Sequence, residues 1–318
     1  MSRHTARTPR RTTERRRVLT PLAPPQAVPV FSGFDYVTVD AQRRRVYAAH
    51  GGARALLVVD ADSGKVVGQV RVGPMHGVAV DPASGHVFTG NGDDDTISEV
   101  DPVALKVLRK VSVGGTIDAI AYDAGNHRIY ADEDDGTHVY VVDATSFTLL
   151  KTIVVPGHKP EYLALNPATH EVYQNIDDLA EIAVIDPRTM EVSRTIKTPE
   201  LRHNHPLQYD AKLGQIVVAG GGQMSAYAPD GRRIGTVAVG GFDQCSLDES
   251  QDVLACAGGG GVTRFQLRAR AAPAQIDVTP VDPGVHTVGI DPQTHRVFAV
   301  WARRDGTGDF VQAFIPAP

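Results

Sequence analysis

The sequence predicts an all-β chain folded as a seven-bladed β-propeller of four-stranded antiparallel blades, closed by a strand from the N-terminus. Three observations carry this expectation. Short apolar runs alternate at period two, turn residues interrupt them every few positions, and the whole pattern returns after about 40–45 residues. At 318 residues the chain is long for one ordinary core, so repetition is the economical way to build it.

The clearest copy begins at Gly77-Val-Ala-Val-Asp81 and continues through His86-Val-Phe88 and Thr96-Ile-Ser-Glu-Val-Asp101. It ends in Lys106-Val-Leu-Arg-Lys-Val-Ser-Val-Gly114. Each run closes on a turn residue, the pattern of an antiparallel meander. The first run closes at Asp40, Asp81, Asp123, Asn166, Asp210, Asp248 and Asp291, spaced by 41, 42, 43, 44, 38 and 43 residues. Seven copies at this period are the signature of propeller blades. The second run recurs as Arg45-Val-Tyr47, Arg128-Ile-Tyr130, Glu171-Val-Tyr173 and Arg296-Val-Phe298. The third recurs as Leu57-Val-Val-Asp60, Tyr140-Val-Val-Asp143 and Ala183-Val-Ile-Asp186, whose aspartates cap turns.

The fifth and sixth copies are worn, with Gln215-Ile-Val-Val-Ala219 and Asp252-Val-Leu-Ala-Cys256 in place of the aromatic run. Blades are expected near 34–73, 74–114, 115–157, 158–199, 203–240, 241–283 and 284–318. The seventh copy stops after its third run, Phe310-Val-Gln-Ala-Phe-Ile315. An open sheet edge invites aggregation, so residues around 17–22 are expected to supply the missing strand.

These units resemble the YVTN-type β-propeller repeats. Gly33-Phe-Asp-Tyr-Val-Thr-Val-Asp40, His205-Pro-Leu-Gln-Tyr-Asp210 and Gly241-Phe-Asp-Gln-Cys-Ser-Leu-Asp248 are similar to the variants of bacterial YncE-like proteins. The resemblance covers residues 17–318 and implies the fold. It implies no particular activity.

The net charge of -5 excludes the basic footprint of a nucleic-acid binder, and no apolar run reaches the length of a membrane span. Residues 1–16 read as a disordered basic tail, with no apolar segment after it to make a signal peptide. Cys245 and Cys256 provide no disulfide framework and are expected as free, half-buried thiols. A cytoplasmic location is therefore the expectation.

The repeat also provides a register. Five residues before each strand-closing Asp or Asn stand Asp35, His76, Asp118, Glu161, His205, Asp243 and His286. Asp and Glu number 37 and His 12 in the whole chain, so composition does not produce seven such residues at one offset. All seven should meet at one mouth of the channel. Carboxylates crowded there repel one another, forcing some to hold protons unless a cation joins them.

His76, His205 and His286 come from the second, fifth and seventh blades, nearly an even tripod for a metal ion. Asp35, Asp118, Glu161 and Asp243 would complete the ligand set or act as general acid or base. Nitrogen and oxygen donors favour a divalent transition metal (Fe, Mn, Cu, Ni or Zn) over calcium or magnesium.

Three residues past the second-run aromatics come His50, Asn91, Glu133 and Trp301, expected to wall a substrate cup above the ring. Gly220-Gly-Gly222 and Gly258-Gly-Gly-Gly261 leave the opposite side open. No helix follows either run, so neither is a phosphate loop. His158 and His203 read as exposed loop residues, and no Ser-His-Asp constellation stands out. The expected function is a metal-dependent enzyme (an oxidoreductase, lyase or isomerase) acting on a small organic molecule. The alternative is a non-enzymatic scaffold binding a peptide or protein on this face.

Overall fold

Each repeat folds as its alternation requires. The computed structural model describes residues 18–28 and 33–317. Among them the strands form seven antiparallel sheets, six of four strands and one of five. The innermost strands, such as Met75–Val80 and Ile117–Asp123, neighbour one another in a closed cycle around the axis. This is a seven-bladed β-propeller, with a single short 3-10 turn, Asp177–Leu179, as the only helical segment among the described residues.

Burial varies across each blade. The two middle strands are sandwiched between neighbouring blades, so Arg45–His50 and Ala55–Asp60 are buried along nearly their whole length. The outermost strand has one wet face, and Lys106–Ser112 alternates between exposed and half-buried positions. Seven apolar clusters result, one at each blade interface. Phe88 and Ile97 of the second blade, for instance, pack on Ile117, Ile129 and Tyr140 of the third. The second-run aromatics Tyr47, Tyr130, Tyr173 and Phe298 are fully buried wedges, each contributing about 1.5–3 kcal/mol of transfer free energy.

The strand-closing Asp or Asn has a physical reason in every blade. Its side-chain oxygen accepts a backbone N–H two or three residues on, as in Asp81 with Ala83 (3.0 Å), Asn166 with Ala168 (3.0 Å) and Asp291 with Gln293 (3.0 Å). Several of these carboxylates also latch the next blade. Asp123 receives His170 at 2.9 Å, Asp248 receives His295 at 2.7 Å, and the fully buried Asp291 receives Arg44 at 2.7 Å. The last of these joins the seventh blade to the first.

Closure uses two short N-terminal strands. Thr20–Pro21 pairs with the end of Asp309–Ile315, and Gln26–Val28 pairs with its beginning. Leu19, buried among side chains of the sixth and seventh blades, donates its N–H to Thr279 Oγ1 at 3.0 Å. The pairing thus extends beyond the expected 17–22 as far as residue 28. The expected basic tail, 1–16, lies outside the described residues.

The cysteines correct the sequence reading. Cys245 and Cys256 are direct cross-strand partners in the sixth blade, 4.0 Å apart at Cα, so their side chains leave the sheet on the same side and form a disulfide. The expected free thiols are absent, and the cytoplasmic expectation loses that support. No helix among the described residues is long and apolar enough to cross a membrane.

Candidate functional site

The ring forms because the innermost strands break their pairing where it lies. The ladder between first and second strands shifts register between Met75 and Val78, Ile117 and Ile120, Pro160 and Leu163, and Val285 and Thr287. These bulges coincide with His76, Asp118, Glu161 and His286, and a bulge re-aims the side chain it carries. In the other three blades the ring residue precedes the strand. Asp35, His205 and Asp243 are held by N–H bonds to the carbonyls of Ala49, Ala219 and Ala257 (2.9, 3.0 and 3.1 Å).

Six of the seven predicted residues fall into two triads of contacts, Asp35–His76–Asp118 and Glu161–His205–Asp243. His76 Nδ1 lies 2.7 Å from Asp35 Oδ2 and 3.8 Å from Asp118 Oδ1. His205 Nε2 lies 2.9 Å from Glu161 Oε2, while its Nδ1 faces the Asp243 carbonyl at 2.5 Å and the Asp243 carboxylate at 3.8 Å. Two groups could each hold an ion: Asp35, His76 and Asp118, and Asp118, Glu161 and His205. Within each, the donor atoms lie within 4.8 Å of one another.

The three-histidine tripod does not assemble. His286 belongs to neither group, because its Nε2 is engaged by the Phe34 carbonyl at 2.7 Å across the seam between seventh and first blades.

Crowding sets the electrostatics. Burial, with the charges of Asp35 and Glu161, pushes the Asp118 carboxyl up to about 8. The hydrogen bond to Asp35 raises His76 to about 9. Burial works against the charged form of His205, but Glu161 and Asp243 outweigh it and raise the imidazole to about 10. Burial likewise opposes the charge on Glu161, yet His205 and Lys159 hold it below its usual range. Asp243 is raised by burial, partly offset by His205 and His286. Without a cation, two imidazolium ions interleave with the carboxylates and Asp118 keeps its proton at neutral pH.

Sequence reasoning missed the residues that fix these side chains. Tyr36 donates its hydroxyl to Asp118 Oδ2 (3.2 Å), and Gln244 donates to Asp35 Oδ1 (2.9 Å). Tyr162 packs on Tyr36 with ring centres 5.2 Å apart and donates to the Cys245 carbonyl. All three follow a ring position by one residue, so the same register read one step further points to them. Tyr36, Tyr162 and Gln208 also line the top of a channel cavity of about 370 Å³. Asp132, fully buried and with its carboxyl pushed well above the usual range by burial and by Asp118, accepts bonds from the Ala119 N–H and Gln174.

The expected cup residues turn inward instead. His50 is buried, bonded to Asp309 at 2.6 Å and stacked on Phe34. Asn91 is buried against Thr96 and Ser98. Trp301 is buried and stacked on Phe310. Glu133 is half-buried, accepting from Tyr140 and the Thr137 N–H while meeting His138. The reason is strand register: these residues occupy the last or second-last positions of their strands, not loops, and they face adjoining strands and blades. His158 and His203 are exposed, as expected.

Open space lies on the glycine side. A cavity of about 480 Å³ between the sixth and seventh blades is lined by Phe242, Asp243, Gly258, Gly259, His286 and Arg304. Asp243 therefore serves both ring and cavity, whereas His286 faces the cavity alone. A Cβ on Gly241 or Gly259 would meet nothing within 4 Å, which is why the rim is open here.

No protein-family model and no curated protein matches the sequence, so the YVTN and YncE-like resemblance stays a matter of local motifs. Among solved structures the chain is similar to Kuenenia stuttgartiensis hydrazine synthase, with a TM-score of 0.73 at 14% identity. The match covers 87% of this chain and 94% of that one. At this identity the likeness shows the propeller fold alone.

Proposed function

We propose that the channel mouth is a metal-dependent catalytic site for a small organic molecule. A divalent transition ion would be held at Asp118 by one imidazole, His76 or His205, with Asp35 or Glu161 completing the set. The observation that supports this most is the pair of histidine–carboxylate groups that share Asp118, in a ring whose Asp243 lines a cavity of small-molecule size. A bound ion there supplies Lewis-acid polarisation or a redox centre.

The chain's own groups have separate tasks. Asp243 lines the cavity and has a raised pKa, which suits it to pass a proton to or from a substrate seated there. His286, fixed by the Phe34 carbonyl, presents its ring to the same cavity. Tyr36 and Gln244 hold Asp118 and Asp35 in place. Oxidoreductase, lyase and isomerase chemistry all use such a set.

Elemental analysis of protein purified without chelator or affinity tag tests the reading. The expected result is bound Fe, Mn, Cu, Ni or Zn that His205→Ala diminishes. A propeller that only docks a peptide would carry no ion and keep its partner in that variant, and such a result would overturn the proposal.

A further inference from the structure

We infer that the channel mouth is a dinuclear metal site in which the Asp118 carboxylate bridges two ions. This rests on the metal-binding reading above and deepens it. The two groups of donors share Asp118 and nothing else, and each adds one imidazole and one further carboxylate. The histidines fall in different groups. Ligand nitrogens bind such ions at about 2.0–2.1 Å, so two of them on one ion lie at most about 4.2 Å apart. No group of donors within 4.8 Å of one another contains both imidazoles, so each ion is assigned one.

The donors are already oriented for two. His205 Nδ1 is committed to the Asp243 carbonyl at 2.5 Å, which leaves Nε2 toward Glu161 at 2.9 Å. A backbone carbonyl on the non-ligating nitrogen is the usual way to fix a ligand imidazole. His76 instead turns Nδ1 toward Asp35 at 2.7 Å and Asp118 at 3.8 Å. The nitrogens thus belong to separate donor groups that meet only at Asp118. That carboxylate is itself the most buried of the ring, held by Tyr36. Two-metal sites place their ions about 3.5–4 Å apart, a span that one carboxylate bridges.

Charge balance points the same way. Asp35, Asp118, Glu161 and Asp243 carry four negative charges when ionised, and a single divalent ion would leave half of them uncompensated in a partly buried ring. Two divalent ions match them, while Lys159, on the outer oxygen of Glu161 at 3.1 Å, contributes from the rim. One nitrogen and two carboxylates per ion is an oxygen-rich donor set, which favours manganese or iron over copper or zinc.

The test is a count. Chelator-treated protein is dialysed against Mn²⁺, and bound ions per folded chain are measured by elemental analysis and native mass spectrometry. Electron paramagnetic resonance then reads whether the ions are exchange-coupled. Two ions per chain with a coupled multiline spectrum are expected, falling to one ion and an isolated six-line spectrum in His76→Ala and in His205→Ala. Circular dichroism melting checks each variant, with His76→Gln and His205→Gln as substitutes for one that does not fold. The wild-type spectrum decides even if none does. One ion in the wild type, or two in either variant, overturns the dinuclear inference and leaves the metal-binding reading standing. No ion at all overturns both.

Discussion

Consider the chelator-treated protein carried from about pH 7 to about pH 10. His205 has a folded pKa of about 10 against an unfolded value of 6.5. The folded value is the higher one. The stabilisation is therefore complete below the unfolded value and is lost as pH rises through the folded one. Each unit of separation is worth about 1.4 kcal/mol, so between pH 7 and 10 the folded state forfeits about 3–4 kcal/mol from this side chain. Its imidazole is 23% exposed, which leaves little solvent screening to discount. Asp118, raised to about 8, works in the same direction: its contribution is full below 3.8 and disappears through about pH 8. His76 adds to the same trend, weakened by its 36% exposure.

Urea unfolding at several pH values measures this, with His205→Gln as the reference that lacks a titrating ring. The stability difference between wild type and variant should shrink by about 3 kcal/mol from pH 7 to pH 10. A difference that stays constant across that range would refute the reasoning, because it would mean that Glu161 and Asp243 do not hold a proton on His205.

Other interactions are as open to test. Arg44→Met strands the fully buried Asp291 carboxylate at the seam of the ring, and urea unfolding should show a loss of about 3 kcal/mol. Burial raises Asp291, but Arg44 and Thr294 hold its pKa low. That share of stability is present above the unfolded value and disappears as pH falls through the folded one. Protein unfolded without reductant should show no free thiol and, after reduction, two. Replacing Cys245 and Cys256 by Ala should cost about 3 kcal/mol, as expected for a cross-link spanning only 11 residues. Removing residues 1–22 takes away the buried Leu19 and the Thr20–Pro21 pairing, so the melting temperature should fall by an amount corresponding to about 2–4 kcal/mol or more. An unchanged melting temperature would mean that closure does not depend on them.

What the sequence made legible was the part of the molecule that repeats. The strand-closing aspartates are readable because each blade needs a turn cap at the same place. The middle strands are readable because burial on both faces demands unbroken apolar runs. The ring follows from the same register, since five residues before a cap is one height along the channel in every blade. Whether two ring members touch is a different matter, decided by contacts that occur once. His286 leaves the ring because the Phe34 carbonyl lies within its reach at the seam. His205 turns Nε2 toward Glu161 because Asp243 offers a carbonyl to Nδ1.

The same distinction explains the cup residues and the cysteines. Offsets counted from an aromatic place His50, Asn91 and Trp301 at one height, but those offsets do not say whether the strand has ended there. It has not, so their side chains are claimed by neighbouring strands and blades. Cys245 and Cys256 stand in a worn blade whose second strand lost its aromatic, so the sequence pattern no longer marked which positions face each other. The ladder pairs them directly. Gln244, next to the bridged Cys245, steadies Asp35, while the Cys245 carbonyl accepts from Tyr162 and Gln208 at the top of the channel cavity. The disulfide therefore braces the side of the ring where the repeat itself is weakest, and the His76–Asp118 half of the mouth inherits that rigidity through Asp35.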